Sequence, residues 1–220
     1  MDNHPEWIIV GAGGFAREVA WNIETGDANG GVLMAVEPEY LPPPGHVGNY
    51  EVVTIEDAMA RADGGTKWIL GVGSVALRRR LVDIIEETGV KVVWGVVQSP
   101  TALVEYRPRF ARGAYIGPRC VVSVFTVIAK HALVNQCCSI GHDCTIGPHA
   151  VICPGCILSG SVVVGAGAVL GSGVIVYPAV RIGEGAKVSA GTVVTHNVPA
   201  HHIRCSTDHA TTVQIVDRWA

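Results

Sequence analysis

Charge is scarce in this sequence. Charged side chains make up only 16% of the 220 residues and aromatic side chains 6%, whereas apolar residues reach 49%. A chain with so few charges must bury much of its apolar surface, either within itself or between subunits. Its formal net charge of −3 provides no general attraction to nucleic acid or to an anionic membrane, so neither is expected as a partner.

Long apolar segments are absent as well. No apolar stretch reaches transmembrane length, and residues 1–6 do not resemble a signal peptide, so membrane insertion and secretion are not expected. The seven cysteines are an odd number, and their one CxxC spacing, Cys153–Cys156, has no second CxxC to pair with. A disulfide framework is therefore not expected, and we predict a cytoplasmic protein.

The first half of the chain alternates strand-like and helix-like segments. Thr54 is the expected N-cap of the second helix, with Asp57 three residues later. The alternation predicts a parallel sheet flanked by helices, so we expect a Rossmann-like α/β domain over residues 1–98. The predicted strands cover 7–10, 32–36, 67–72 and 90–97, and the predicted helices cover 15–23, 55–62 and 77–87.

The second half carries a six-residue repeat. Every sixth position from residue 116 to residue 194 is aliphatic: Ile116, Val122, Ile128, Val134, Ile140, Ile146, Ile152, Leu158, Val164, Leu170, Val176, Ile182, Val188 and Val194. This period is typical of hexapeptide coils, in which three hexads form one triangular turn of a prism. We therefore expect an all-β left-handed parallel β-helix over residues 99–200, followed by a tail over 201–220. The flat, apolar-rich sides of such a prism predict a homotrimer.

Small or β-branched side chains occupy the position four residues after each aliphatic one, which suits a narrow interior. Four cysteines fall in this position, so we interpret them as core fillers rather than metal ligands: Cys120, Cys138, Cys144 and Cys156. Glycines that suit the corners often follow the aliphatic residues directly: Gly117, Gly141, Gly147, Gly165, Gly171 and Gly183.

Two segments and the coils together resemble a known family. The segments are Ile8-Ile9-Val10-Gly11-Ala12-Gly13-Gly14-Phe15-Ala16-Arg17-Glu18-Val19 and Val134-Asn135-Gln136-Cys137-Cys138-Ser139-Ile140-Gly141-His142-Asp143-Cys144-Thr145-Ile146-Gly147. They resemble the sialic acid O-acetyltransferases and nucleotide-sugar N-acetyltransferases, which include enzymes of bacillosamine and perosamine synthesis. The resemblance extends to about residue 199. It implies acetyl-CoA as cosubstrate and a nucleotide sugar as substrate, with no metal required.

His142 matches the catalytic histidine of that family. It lies beside the corner glycine Gly141, and Asp143 follows where the family has an acidic residue. Imidazole can take a proton from an attacking amine, and a neighbouring carboxylate fixes its tautomer and raises its basicity. We therefore predict His142 as the general base and Asp143 as its support. The competing interpretations are an idle, solvated His142 and a base at His149.

The resemblance also implies residues around the acetyl transfer. Asn135 matches a family asparagine near the acceptor amine, although Asn is also suited to a left-handed corner. The backbone N–H of Gly160, one coil beyond the predicted base, is expected to stabilise the oxyanion. His149, Ser172 and Ala190 are expected to contact CoA.

The glycine-rich turn after the first strand predicts a phosphate site. Residues 11–16 fit the GxGxxA pattern between a strand and a helix, where N–H groups at the helix N-terminus face an anion. A dinucleotide is the general interpretation of this pattern. Residues 1–98 are only half of a full dinucleotide fold, so we expect a nucleotide sugar instead. Arg79 and Arg80 are interpreted as a solvated helix face. The predicted contacts are Gly11, Gly13, Gly14, Phe15, Glu37, Gly73, Ser74 and Arg78.

The sequence thus predicts an acetyl-CoA-dependent N-acetyltransferase acting on a nucleotide-linked amino sugar. An O-acetyltransferase acting on sialic acid or a related sugar is the enzymatic alternative, because both reactions need a base and a thioester. A non-catalytic or metal-binding β-helix scaffold is the alternative of another class. His131, His142 and His149 are available as metal ligands, but their spacings of 11 and 7 residues do not resemble those of γ-type carbonic anhydrases.

Overall fold

The computed structural model describes residues 4–26, 31–43, 45–205 and 212–214. They form two compact units, one within Met1–Pro100 and the other within Thr101–Ala220. Each unit has its own cluster of buried apolar side chains.

The first unit is built on a six-stranded sheet. Its strands are β1 (Trp7–Val10), β2 (Val32–Val36), β3 (His46–Val47), β4 (Tyr50–Thr54), β5 (Lys67–Leu70) and β6 (Val93–Trp94). They lie in the order β3-β4-β2-β1-β5-β6, and neighbours are parallel except in the β3–β4 hairpin. The remaining elements are α1 (Gly14–Glu24), a 3₁₀ turn (Pro38–Tyr40), α2 (Ile55–Arg61), α3 (Val75–Glu87) and β7 (Val97–Gln98). The predicted α/β fold is confirmed.

Burial of the sheet centre explains why this unit folds. β1 is buried along its whole length, as expected for a parallel strand covered on both faces. α3 contributes Leu81, Val82 and Ile85 to the same core. Thr54 caps α2 as predicted, because its hydroxyl accepts the N–H of Asp57 at 3.1 Å.

Two parts of this unit differ from the sequence-based expectation. The β3–β4 hairpin was not predicted, because β4 runs directly into α2 and its short alternation merges with the helical pattern. The strand predicted over 90–97 is interrupted at Gly95. A Cβ atom at Gly95 would meet the ring of Trp7 at 2.5 Å, so the chain needs a glycine for this close approach.

The second unit is a parallel β-helix. Strands that are three apart in sequence pair in parallel and form three sheets, with partners one coil apart, such as Val122 opposite Ile140. The predicted left-handed β-helix is confirmed. Its strands are β8 (Leu103–Val104), β9 (Arg109–Phe110), β10 (Tyr115–Ile116), β11 (Val121–Val122), β12 (Val127–Ile128), β13 (Leu133–Val134), β14 (Ser139–Ile140), β15 (Thr145–Ile146), β16 (Val151–Ile152), β17 (Ile157–Leu158), β18 (Val163–Val164), β19 (Val169–Leu170), β20 (Ile175–Val176), β21 (Arg181–Ile182), β22 (Lys187–Val188) and β23 (Val193–Val194).

The interior of the prism is a stack of aliphatic and small side chains. The aliphatic repeat is buried, and so are the cysteines predicted as fillers: Cys120, Cys138, Cys144 and Cys156. Hydrogen bonding with Cys120, then with Cys156, together with burial, raises the pKa of Cys138. This thiol is therefore a neutral packing group and not a reactive one.

The coils extend past both ends of the aliphatic repeat. At the start, β8 and β9 precede Ile116 and pair with β11 and β12. Phe110 occupies the aliphatic position of β9, which hides this hexad from a search for Ile, Leu and Val. At the end, β24 (His202–Arg204) pairs in parallel with β22, and β25 (Thr212–Gln214) pairs antiparallel with β24. Part of the predicted tail therefore continues a sheet of the prism.

Candidate active site

One edge of the prism carries the predicted base. The turns after β8, β11, β14, β17 and β20 stack along it. Backbone hydrogen bonds join successive turns: the N–H of Asp143 donates to Val124 at 3.1 Å, and that of Ser161 donates to His142 at 2.8 Å. The regular coil therefore sets the order of the side chains along this edge. We name it the histidine corner: Tyr106–Arg107, Val124–Phe125, His142–Asp143, Gly160–Ser161 and Pro178–Ala179.

His142 and Asp143 form a hydrogen-bonded pair on this corner. The Nδ1 atom of His142 lies 2.8 Å from the Oδ2 atom of Asp143, and the side chains are 60% and 56% exposed. Asp143 has φ of +57°, a left-handed conformation that Asp tolerates better than most residues. With Nδ1–H donating to the carboxylate, the Nε2 atom of His142 is the proton acceptor.

Gly160 lies directly against the imidazole in the next coil. A Cβ atom at this position would overlap the His142 ring, so a larger residue would displace the imidazole from where it lies. Within the described part of the chain, the N–H of Gly160 donates to no acceptor. Other turns have proline at the same position, which shows that the coil does not need this N–H: Pro118, Pro148, Pro154 and Pro178. The Gly160 N–H is therefore available to a ligand beside His142.

The first unit contains a cavity of about 430 Å³ at the carboxyl ends of its central strands. Gly11, Gly13 and Glu37, which are among the residues predicted to contact the nucleotide sugar, line it together with Tyr40 and Leu77. Gly14, Phe15, Gly73, Ser74 and Arg78 are not among its lining residues.

The two lining glycines have different reasons to be glycine. Gly11 has φ of +123°, and a Cβ atom there would meet Val72 at 2.8 Å, so the fold itself requires it. Gly13 precedes α1, and a Cβ atom there would meet nothing within 4 Å. α1 has neither a side-chain cap nor an acidic residue in its first turn, so its N-terminus is electrostatically suited to an anion.

Arg78 and Ser74 serve the fold in ways that the sequence did not indicate. The guanidinium of Arg78 is fully buried and donates to the carbonyl of Val72 at 2.7 Å, so it does not extend to a diphosphate as predicted. Burial lowers the pKa of Arg78. The hydroxyl of Ser74 accepts the N–H of Leu77 at 3.4 Å and caps α3.

Arg80 is the cationic side chain that the sequence analysis missed. Its Nη2 atom lies 2.5 Å from Oε1 of Glu37, whose side chain is only 11% exposed at the cavity wall. The interpretation of Arg80 as part of a solvated helix face was therefore incomplete. The sequence carries no signal for this ion pair, because its two residues are 43 positions apart.

The other predicted residues lie at different corners of the prism. Asn135 follows β13, where its Oδ1 atom accepts the N–H of Gln136 at 2.7 Å, and Ser172 and Ala190 follow β19 and β22. His149 follows β15 and stacks on His131 with ring centroids 5.0 Å apart. Within one chain, His142, Asp143 and Gly160 therefore share one corner, whereas Asn135, Ser172 and Ala190 share a second corner and His149 lies at the third.

Across 4–26, 31–43 and 45–205, no three side chains of His, Cys, Asp or Glu approach one another closely enough to hold a metal ion. None of the helices in the described ranges combines the length and the apolar character needed to cross a bilayer.

Comparison of the sequence with protein families gives a match within the coils. The model of the bacterial transferase hexapeptide family, which contains six repeats, matches residues 161–196. No curated protein sequence matches the chain significantly.

Several solved structures share the fold over nearly the whole chain. PerB from Caulobacter crescentus, in complex with CoA and GDP-perosamine, is 25% identical, with a TM-score of 0.82 over 94% of this chain and 96% of PerB. A mutant of perosamine N-acetyltransferase from the same organism is 24% identical, with a TM-score of 0.81 over 94% and 95% of the two chains. The acetyltransferase domain of PglB from Neisseria gonorrhoeae, in complex with acetyl coenzyme A, is 21% identical, with a TM-score of 0.79 over 90% and 95%. The resemblance expected from the sequence motifs is confirmed.

Proposed function

We propose that the protein is an acetyl-CoA-dependent N-acetyltransferase that acts on a nucleotide-linked amino sugar. The observation that carries this proposal is the arrangement of His142, Asp143 and the Gly160 N–H on one corner of a hexapeptide prism. The similarity to PerB, which binds CoA and GDP-perosamine, supports the same pair of substrates for this chain.

The geometry suits direct transfer from the thioester to an amine. The Nε2 atom of His142 accepts a proton from the amine as its nitrogen attacks the thioester carbonyl and the C–N bond forms. Asp143 holds the imidazole in the required tautomer and stabilises the imidazolium. The Gly160 N–H stabilises the oxyanion. When the C–S bond breaks, the imidazolium returns the proton to the leaving thiolate, so neither a metal nor a covalent enzyme intermediate is needed.

The first unit supplies the nucleotide site in this proposal. The cavity beside Gly11 and Gly13 accepts the nucleoside, and the N-terminus of α1 faces the diphosphate. Glu37 accepts hydrogen bonds from the ribose or the base, and Arg80 holds its carboxylate in place. In this proposal, the domain predicted over residues 1–98 binds the nucleotide, and the coils predicted over residues 99–200 carry out the acetyl transfer.

A complete transfer site requires a second copy of the chain, because Asn135, Ser172 and Ala190 follow other strands than His142. We propose a homotrimer in which neighbouring corners meet. One outer face of the prism presents exposed apolar side chains that such contacts would cover: Leu103, Val121, Ile157 and Val193. Light scattering at micromolar concentration should give the mass of a trimer, and a stable monomer would contradict this assembly.

We also propose that the protein is cytoplasmic. All seven cysteines are free thiols. Such a pattern suits a reducing compartment, where acetyl-CoA is also available.

O-acetylation remains the competing reaction, because a hydroxyl could occupy the place of the amine. The experiment that separates them offers acetyl-CoA and matched sugars to the full-length protein, each pair differing only in NH₂ or OH at one carbon. We expect release of CoA with UDP-, GDP- or dTDP-linked amino sugars and at least about a hundredfold slower release with the hydroxyl partner, since a site built for one polar group discriminates strongly. Faster transfer to free sialic acid would replace the proposal with the O-acetyltransferase.

A further inference from the structure

Two aromatic side chains lie exposed on the histidine corner, on the side of His142 away from Gly160. Tyr106 is 58% exposed and Phe125 is 52% exposed. Their rings meet edge to face, with centroids 6.1 Å apart and an interplanar angle of 84°. The guanidinium of Arg107 lies 4.8 Å from the centre of the Tyr106 ring. Arg107 and Tyr106 thus brace Phe125, whose ring remains half open to solvent.

Backbone hydrogen bonds between successive coils fix the position of this aromatic pair relative to His142. The turn Val124–Phe125 is the one immediately before His142–Asp143, and the N–H of Asp143 donates to the carbonyl of Val124 at 3.1 Å. The turn Tyr106–Arg107 precedes it by one more coil, joined by the N–H of Phe125 to the carbonyl of Tyr106 at 3.2 Å. The base therefore lies between an aromatic surface and the Gly160 N–H.

Phe125 lies at the left-handed turn position that recurs along the coils, where ten of the described residues are not glycine. Phe125 has φ of +57°, and a bulky side chain in this left-handed region is rare and unfavourable. Glycine fills the same turn position at several places on the other corners, where φ is also positive: Gly113, Gly155, Gly167, Gly173, Gly185 and Gly191. On the histidine corner, every turn from Arg107 to Ala179 carries a side chain at this position instead.

We infer that Phe125, braced by Tyr106 and Arg107, is the subsite for the sugar ring of the acceptor. The inference rests on the proposed function and deepens it. The C–H face of a pyranose, and above all of a deoxysugar, is apolar and packs well on an aromatic face. An amino group on that ring also carries positive charge before transfer, which an aromatic face attracts. A sugar stacked on Phe125 presents its amine towards the Nε2 atom of His142, while the thioester approaches from the Gly160 side.

The test compares the wild type with Phe125→Ala, Phe125→Tyr and a matched control, Tyr177→Ala. Tyr177 is an equally exposed aromatic residue (50%), but it follows Gly160 in the chain and lies on the far side of the base. Steady-state kinetics give KM for the nucleotide-linked amino sugar and for acetyl-CoA separately. Light scattering and thermal unfolding check the assembly and the fold of each variant.

We expect Phe125→Ala to raise KM for the sugar about tenfold and to leave KM for acetyl-CoA and the molecular mass unchanged. Phe125→Tyr should restore KM for the sugar to within about threefold of the wild type, and Tyr177→Ala should not alter it. An unchanged KM for the sugar in Phe125→Ala would overturn the inference. Phe125→Ala could instead lower the molecular mass of the assembly while both KM values of the assembled protein stay equal to those of the wild type. That result would identify Phe125 as a contact between copies of the chain and would also overturn the inference. If the wild type acetylated no nucleotide-linked sugar, the proposed function itself would fail, which the wild-type arm alone reveals.

Discussion

The two units offer ligands two different kinds of surface. On the coils, the backbone repeats, and the proposed chemistry rests on side chains that depart from the repeat, such as His142 and Phe125. In the first unit, the proposed binding rests largely on the main chain, because Gly13 and the N-terminus of α1 leave room for a ligand. A side chain on the prism can therefore be removed with little effect on the aliphatic core beneath it. A substitution at Gly13 would instead act by filling space that a ligand would occupy.

The largest effect is expected from removal of the base. His142→Ala should lower kcat by about 10²–10⁴, because proton transfer from the amine loses its acceptor, with little change in KM for acetyl-CoA. Initial rates at saturating substrates measure this. His149→Ala is the control, because His149 stacks on His131 at another corner and should cost much less. The reverse ranking would transfer the role of base to His149.

The second largest effect on kcat is expected from Gly160→Ala. Gly160→Ala places a Cβ atom in the volume of the His142 ring and disturbs the N–H beside it, so we expect kcat to fall by about 10². The double variant His142→Ala/Gly160→Ala isolates the cause. Since the clash is then absent, the second change should lower kcat by no more than about threefold below His142→Ala alone. Full additivity of the two losses would show that the two residues act separately.

In the first unit, Gly13→Val should affect one substrate only. A Cβ atom at this position meets no protein atom within 4 Å, so we expect the variant to fold normally and its side chain to occupy space proposed for the nucleotide. We expect KM for the sugar nucleotide to rise about tenfold or more, while acetyl-CoA binding measured by calorimetry stays unchanged. Gly11→Ala is the contrasting variant, because its steric conflict with Val72 should lower the melting temperature instead. Micromolar binding of NAD in place of UDP-, GDP- and dTDP-sugars would refute the assignment of this cavity.

A smaller effect is expected from Arg80→Gln. Loss of the ion pair frees Glu37 to rotate, so KM for the sugar nucleotide should rise about twofold to fivefold, the range expected for a partly exposed pair. Arg79→Gln, on the same exposed helix surface, is the matched control and should not change it. Equal effects of the two substitutions would indicate a general loss of positive charge and not a specific contact.

The smallest effect on activity is expected from a helix cap, Thr54, that is not among the residues lining the cavity of the first unit. Thr54→Ala removes the hydroxyl that accepts the Asp57 N–H and should lower the free energy of unfolding by about 1 kcal/mol. Denaturant titration of the full chain measures this loss, while kcat and both KM values should equal those of the wild type. Thr54→Ser, which keeps the hydroxyl, should retain most of the stability.

The coils could be predicted from the sequence far better than the nucleotide cavity. A hexad places each residue at a known face and height, so the stack of His142, Asp143 and Gly160 follows from their spacing. The exposed pair Tyr106 and Phe125 was also encoded in this spacing but lay outside the motif that guided the search. The different roles of Arg78 and Arg80 could not be predicted from the sequence, because the surroundings of each side chain depend on how α3 packs on the sheet. That packing buries the first and pairs the second with Glu37.

The most direct test of the account is the transfer reaction itself, followed by mass spectrometry with isotopically labelled acetyl-CoA. Wild-type protein and the His142→Gln variant are incubated in parallel with a panel of nucleotide-linked amino sugars. We expect the wild type to move the labelled acetyl group to the nitrogen of one of these sugars, and the variant to do so at least about a hundredfold more slowly. Equal rates in the two proteins, or a label found on oxygen or on the protein, would contradict it.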